Sequence, residues 1–207
     1  MYVVPYSYGE SEYVEKHSRF IARVWPVKSE QEALAHLREV REKHWDATHN
    51  VYAYSIREGN IARFSDDGEP SGTSGMPVLN VFTSGGVNDF ICVVTRYFGG
   101  ILLGAGGLVR AYSKAAGMAL EEAGRAEMKV VCSVTLKCSY SQLERIKSET
   151  ARYNTVIDSV DYGAYITMAL SVPQEELEAF FARITDATAG SVAPVKTGES
   201  LKPVRIV

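Results

Sequence analysis

An α+β protein of two domains is the fold class this sequence predicts, on three observations. Short runs rich in aromatic and β-branched residues alternate with stripes at helical spacing, so strands and helices are interleaved. The rhythm changes just past Gly124, where a helical stripe stops on a glycine. Beyond it the order strand–helix–strand–strand–helix–strand fills about eighty residues, which is the ferredoxin-like pattern. A chain of 207 residues suits either one large or two small domains. The change of rhythm favours two, residues 1–127 and 128–207, with no long linker between them.

In the first domain, Phe20, Ala22 and Val24 alternate with arginines, and the stretch from Tyr13 to Val27 reads as one strand ended by Pro26. Ser29 and Glu32 form a capping-box signature for a helix running to about Lys43. Asn50–Arg57 reads as a strand, and a polar loop follows from Arg63 to Gly72. Thr73 or Ser74 is placed to cap a short helix over Pro77–Thr83, stopped by Gly85-Gly86. Phe90–Tyr97 is almost continuously apolar, as a central strand covered on both faces, or packed tightly on one, would be. A glycine-rich segment, Gly99–Gly107, leads into a helix from about Leu108 to Ala123.

In the second domain, Val130–Leu136 alternates as a strand, and a helix over Tyr140–Arg152 is capped by Ser139 or Ser141. Thr155–Tyr162 and Ala164–Val172 read as a hairpin turning at Asp161-Tyr162-Gly163. Pro173 suits a first helical turn, with Leu177, Phe180, Phe181 and Ile184 as the apolar stripe. A last strand starts near Ser191.

Composition limits the function classes. A net charge of −3 offers no global attraction to nucleic acid. Residues 128–207 hold nine basic and nine acidic side chains, so neither half is polybasic and any nucleic-acid contact needs a local patch. Cys92, Cys132 and Cys138 form no CxxC pair and sit in apolar stretches, so buried reduced thiols are expected. The opening MYVVPYSYGESEYVEKHS carries acids and no long apolar run, so no signal peptide is expected. No run reaches the ~18 apolar residues of a membrane span. The expected address is the cytoplasm, and no membrane partner is predicted.

Three segments carry candidate chemistry. Between the apolar strand and the helix lie Gly99, Gly100, Gly104, Gly106 and Gly107, flanked by Arg96, Tyr97 and Arg110. Glycines let a backbone come close to a ligand, and free amides at a helix start attract anions. This corner is a candidate phosphate, anion or RNA site; the alternative is a tight turn with close packing. If a ligand approaches there, a β-branched residue at Gly106 is expected to harm binding and stability together. Asp66, Asp67 and Glu69 supply three carboxylates in four positions, a possible Mg²⁺ set or a solvated turn, and are expected exposed or near the glycine turn. His49 is a possible polar site or a hydrogen-bonded structural residue. No GxxxxGK[ST] phosphate loop occurs, no nucleophile–base pair is evident, and no cofactor is predicted.

In chain order, Thr48-His49-Asn50-Val51-Tyr52-Ala53-Tyr54, the loop Ser65 to Gly75, and Arg96-Tyr97-Phe98-Gly99-Gly100 through Gly104-Ala105-Gly106-Gly107 to Tyr112 resemble the signature of the IMPACT/YigZ family. The resemblance covers most of residues 15–125, and the tail resembles the extra domain of bacterial members. It implies a first domain like domain IV of elongation factor G and the sugar-kinase-like N-terminal domains. It implies a second domain like domain V of that factor. Eukaryotic relatives regulate translational stress signalling through a further N-terminal domain that has no counterpart in these 207 residues, so that activity is not expected here. The expected function is that of a non-enzymatic regulatory protein contacting RNA, the ribosome or a translation-associated partner. The competing class is an enzyme on a small phosphorylated or peptide-like substrate with a metal at the acidic loop.

Overall fold

A computed structural model describes residues 2–206 and shows an α+β protein with two sheets and, among the described residues, five α-helices. The chain divides into two compact units, Met1–Glu127 with Arg205–Val207, and Met128–Val204.

The first unit is built on an antiparallel sheet of order β2-β3-β6-β4-β5, with β2 Gly9–Glu15, β3 Ser18–Pro26, β4 His49–Ile56, β5 Ile61–Ser65 and β6 Phe90–Tyr97. Helix α1 (Glu30–Lys43) covers one face through Ala33, Leu37 and Val40, which meet Ile91, Val93 and Tyr54. Helices α2 (Gly75–Thr83) and α3 (Ala105–Ala123) cover the other, over Phe20, Cys92 and Val94. Alternate residues of β6 therefore enter two different cores, which is why its sequence is apolar throughout. Ser29 caps α1, its Oγ accepting from the Glu32 amide at 3.2 Å, while the Glu32 carboxylate accepts from the Lys28 amide at 2.7 Å.

The stretch from Tyr13 to Val27 is not one strand. It contains a hairpin whose register pairs Glu15 with Ser18, turning on Lys16 and His17, both at positive φ. A two-residue turn of that kind ordinarily uses Asn-Gly. Lys-His gives no such signal. Two short strands also lie outside the sequence reading: β5, and β1 (Val3–Pro5), which pairs with residues 125–127. Helix α2 begins at Gly75 and α3 at Ala105, earlier than the apolar stripes indicate.

The second unit runs β7 (Arg125–Cys138, from residue 128), α4 (Leu143–Thr150), β8 (Val156–Tyr162), β9 (Ile166–Pro173), α5 (Leu177–Ala187) and β10 (Val195–Ile206). Its strand order is β10-β7-β9-β8. Both helices bury one stripe, Leu143 and Ile146 from α4 and Phe180 and Ile184 from α5, on the face carrying Cys132, Val134, Leu136, Met168 and Leu170. Ser139 and Gln142 cap the turn before α4, the Ser139 amide donating to Gln142 Oε1 at 3.0 Å. Pro173 ends β9, and a 3₁₀ turn, Gln174–Glu176, intervenes before α5. All three cysteines are buried and unpaired. No helix among the described residues is long and apolar enough to cross a membrane.

Candidate functional site

The first unit brings the three sequence motifs to one place. A cavity of about 410 Å³ is bounded by Thr48 and His49 from the start of β4, Glu69 and Pro70 from the acidic loop, Arg96 from the end of β6, and Gly104 and Ala105 from the start of α3. Strand pairing produces part of this directly, because His49 and Arg96 are register partners across β4 and β6. Alternation along β6 turns Arg96 toward α3 and Tyr97 toward the opposite face. Tyr97 accordingly leaves the site: its hydroxyl donates to Asp46 at 3.1 Å and lies 2.9 Å from His44 Nδ1.

Arg96 is 4% exposed and does not stand free as surface charge beside the turn. Its Nη1 donates to Glu69 Oε1 at 2.5 Å and its Nη2 to Ser18 Oγ at 3.3 Å, while Nε is buried with no partner. The guanidinium also lies over the rings of Phe20 and Phe98, at 5.4 and 5.5 Å. Glu69, 8% exposed, accepts a second bond from the Tyr112 hydroxyl of α3 at 2.8 Å. Burial, then the neighbouring Glu69 charge, push the Tyr112 phenol pKa far up, so it stays a neutral donor. A buried carboxylate is tolerable here because two donors meet it. His49 Nδ1 donates to the Asp67 carbonyl at 2.8 Å, and its Nε2 lies 3.7 Å from Glu69 Oε1.

The three acids do not converge. Asp66 turns away to serve α2, its Oδ1 accepting from the amides of Ser74 (3.1 Å) and Gly75 (2.8 Å) and from Ser74 Oγ (2.7 Å), and its Oδ2 from the Gly72 amide (2.8 Å). Ser74 occupies the capping position without capping through its own side chain; Asp66, eight residues upstream, does the work instead. Burial alone would raise the Asp66 pKa, but these donors outweigh it and hold the carboxyl below its ordinary value. Asp67 binds Arg41 at 2.9 Å and the Asn50 amide at 2.7 Å. Each carboxylate is thus engaged by its own donors, and among the described residues no three His, Cys, Asp or Glu side chains are grouped to hold a metal. None of the three is exposed, because each ties a loop backbone or a buried cation.

Most of the glycines answer to geometry. A Cβ on Gly99 would fall 2.1 Å from the His17 carbonyl carbon, and one on Gly107 2.9 Å from Leu103 Cβ; Gly100 and Gly104 have positive φ. Gly106 has neither constraint: its nearest neighbour would be Arg110 Nη1 at 3.6 Å. The expected steric harm of a larger residue at Gly106 therefore has no basis at Cβ. Arg110 faces a smaller groove of about 210 Å³ beside Gly107, and there Lys16 and Lys114 join it. Lys114 Nζ sits 4.4 Å from the Tyr13 ring centre. Arg110 and Lys114 are one helical turn apart, a spacing legible in the sequence. Lys16 carries no such signal, because its place depends on a hairpin whose turn residues are atypical. Tyr112 is equally silent in the sequence, hidden inside an apolar stripe.

Fold and motif set together define the class. The Impact N-terminal domain matches residues 16–120, and the domain of unknown function DUF1949 matches residues 136–191. The chain is 39% identical over 192 residues to the IMPACT family member YvyE of Bacillus subtilis, spanning 92% of this chain and 88% of that protein. It is 35% identical over 180 residues to the IMPACT family member YigZ of Escherichia coli, spanning 86% and 88%. A solved structure described as a hypothetical protein aligns over 96% of this chain and 98% of its own, with 32% identity and a TM-score of 0.57. This chain belongs to the IMPACT family.

Proposed function

We propose that the protein is a non-enzymatic, cytoplasmic regulatory protein that contacts RNA, the ribosome or a translation-associated partner through the basic groove at the start of α3. The observation that carries this reading is the meeting of Lys16, Arg110 and Lys114 in one groove beside Gly107, in a chain whose net charge is negative. Glu15 is the one acid in the lining of that groove, and no ion pair engages Lys16, Arg110 or Lys114 among the described residues, so three cations against one carboxylate leave positive charge for phosphates. Arg96, by contrast, already has Glu69 as its counter-ion and supplies shape more than charge.

The fold is read at a finer level to the same end. The strand order β10-β7-β9-β8, with both helices on one face, supports a ferredoxin-like second unit. The first unit, a sheet with its glycine turn opening α3, is read as similar to domain IV of elongation factor G and the sugar-kinase-like N-terminal domains. The resemblance to translation-linked relatives points the partner toward the same machinery. A metal-dependent enzyme at the acidic loop is the weaker reading, since Asp66, Asp67 and Glu69 face different partners.

Capture from lysate by the full chain, with and without RNase, tests the proposal. The expected result is ribosomal or RNA-bound material that is lost on RNase treatment and reduced by Arg110→Ala. Capture that is insensitive to RNase and unchanged by Arg110→Ala counts against it.

A further inference from the structure

We infer that the cavity between the acidic loop and the glycine turn receives an unstacked guanine base of a bound RNA, an inference that rests on the assignment of RNA phosphates to the basic groove. The cavity and the groove share Leu103 in their walls and lie along the first turns of α3. A strand held by its phosphates in the groove therefore has beside it a recess of about 410 Å³, within the range of small-molecule sites. Single-stranded RNA is read in this way, by splaying a base onto apolar or aromatic side chains and bonding its Watson–Crick edge.

The side-chain groups left unengaged in the recess are acceptors. Glu69 Oε1 already takes bonds from Arg96 Nη1 and the Tyr112 hydroxyl, whereas Oε2 takes none. The Glu69 side chain is only 3% exposed, yet Oε2, unlike Arg96 Nε, is not closed off from solvent; it opens on the cavity that Glu69 lines. A carboxylate oxygen so nearly buried with no donor is an exception in folded proteins, and a ligand N–H removes it. His49 lies beside it. Its Nδ1 donates to a carbonyl, so in the neutral ring Nε2 is a second acceptor, 3.7 Å from Glu69 Oε1 and engaged in no hydrogen bond.

Arg96 balances the charge of Glu69, so the recess holds no net side-chain charge to draw an ion. Two neighbouring acceptors instead select a neutral group with two neighbouring donors. Among the RNA bases guanine alone presents that pair on its Watson–Crick edge, a ring N–H beside the 2-amino group. Adenine and cytosine set an amino group beside an acceptor nitrogen, and uracil sets its N–H between two carbonyls. The rest of the lining suits the faces of a flat ring. Pro70, Leu103 and Leu108 line it, and Phe98 and Leu102 stand 46% and 82% exposed.

Fluorescence anisotropy on the full chain at low salt tests the site, with short oligouridines carrying one central guanine, inosine, adenine or uracil. Inosine lacks only the 2-amino group. The guanine strand is expected to bind about tenfold more tightly than the all-uridine strand, and inosine to lose most of that gain. Leu102→Ala, which removes only exposed atoms, is expected to narrow the guanine preference. Glu69→Gln is expected to erase the difference between guanine and inosine, with thermal unfolding showing whether that variant folds; Leu102→Ala and the inosine comparison carry the test if it does not. RNA binding indifferent to the central base, inosine equal to guanine, or a preference unchanged in Leu102→Ala overturns the guanine site and leaves the basic groove standing. If no strand binds, calorimetry with guanosine monophosphate against inosine monophosphate decides. Binding of the first alone supports the site while removing the groove proposal, and no binding up to about 10 mM removes both.

Discussion

Arg96 and Glu69 are each buried and each the other's principal partner, their side chains 5% and 3% exposed. Removing one strands the other, at a cost of about 3–5 kcal/mol. Glu69→Leu is therefore expected to destabilise the chain far more than Glu69→Leu combined with Arg96→Met, measured by denaturant unfolding; an equal or greater loss in the double variant would show that the pair is not the unit. Asp66 gives a pH-dependent counterpart. Its pKa is depressed in the folded protein relative to its ordinary 3.8, so the ionised form adds stability at pH values above 3.8. That contribution disappears as pH falls through the lower folded value. Asp66→Asn should lose about 1 kcal/mol at neutral pH and show a flatter acid limb than wild type. Identical pH profiles would contradict the capping role. At this scale the sequence marks Asp66 and Glu69 as notable but groups them, because spacing in a loop says nothing about which way each side chain turns. Only the folded loop separates a helix cap from a buried counter-ion.

Two elements bear on how the site is presented. The β2–β3 turn holds Lys16 toward the groove with both central residues at positive φ, a conformation that costs a non-glycine residue about 1 kcal/mol or more. His17→Gly should raise stability by about 1 kcal/mol in thermal unfolding without moving Lys16. A fall in stability would mean that the His17 side chain contributes contacts that outweigh the strain. The first turn of α3 supplies the complementary case. Gly106 is the second residue of α3, with no clash awaiting a Cβ, so Gly106→Ala should stabilise by about 0.4–1 kcal/mol. If it destabilises instead, the backbone at residue 106 is held by something other than helix packing. Helices α1 and α3 were legible because their apolar stripes and capping residues are local. Strand β5 was not, since Ile61–Ser65 is a largely exposed edge strand with no buried alternate face to imprint on its sequence.

Across the whole molecule, the α+β class was readable because hydrophobic periodicity reports elements directly, whereas the basic groove was not, because Lys16 and Arg110 lie far apart in sequence and meet only through the sheet. That groove is the centre of the functional account, in a chain of otherwise negative charge. The most direct measurement is fluorescence anisotropy of a single-stranded RNA bound to the full chain, titrated between about 50 and 200 mM salt. Each phosphate neutralised contributes about 0.7 to the slope of log affinity against log salt for a single strand. The account predicts measurable binding at low salt and a falling affinity as salt rises. Arg110→Ala should bind more weakly with a slope shallower by about one phosphate's share. Absence of binding at the lowest salt, or an Arg110→Ala curve that overlays wild type, would contradict it.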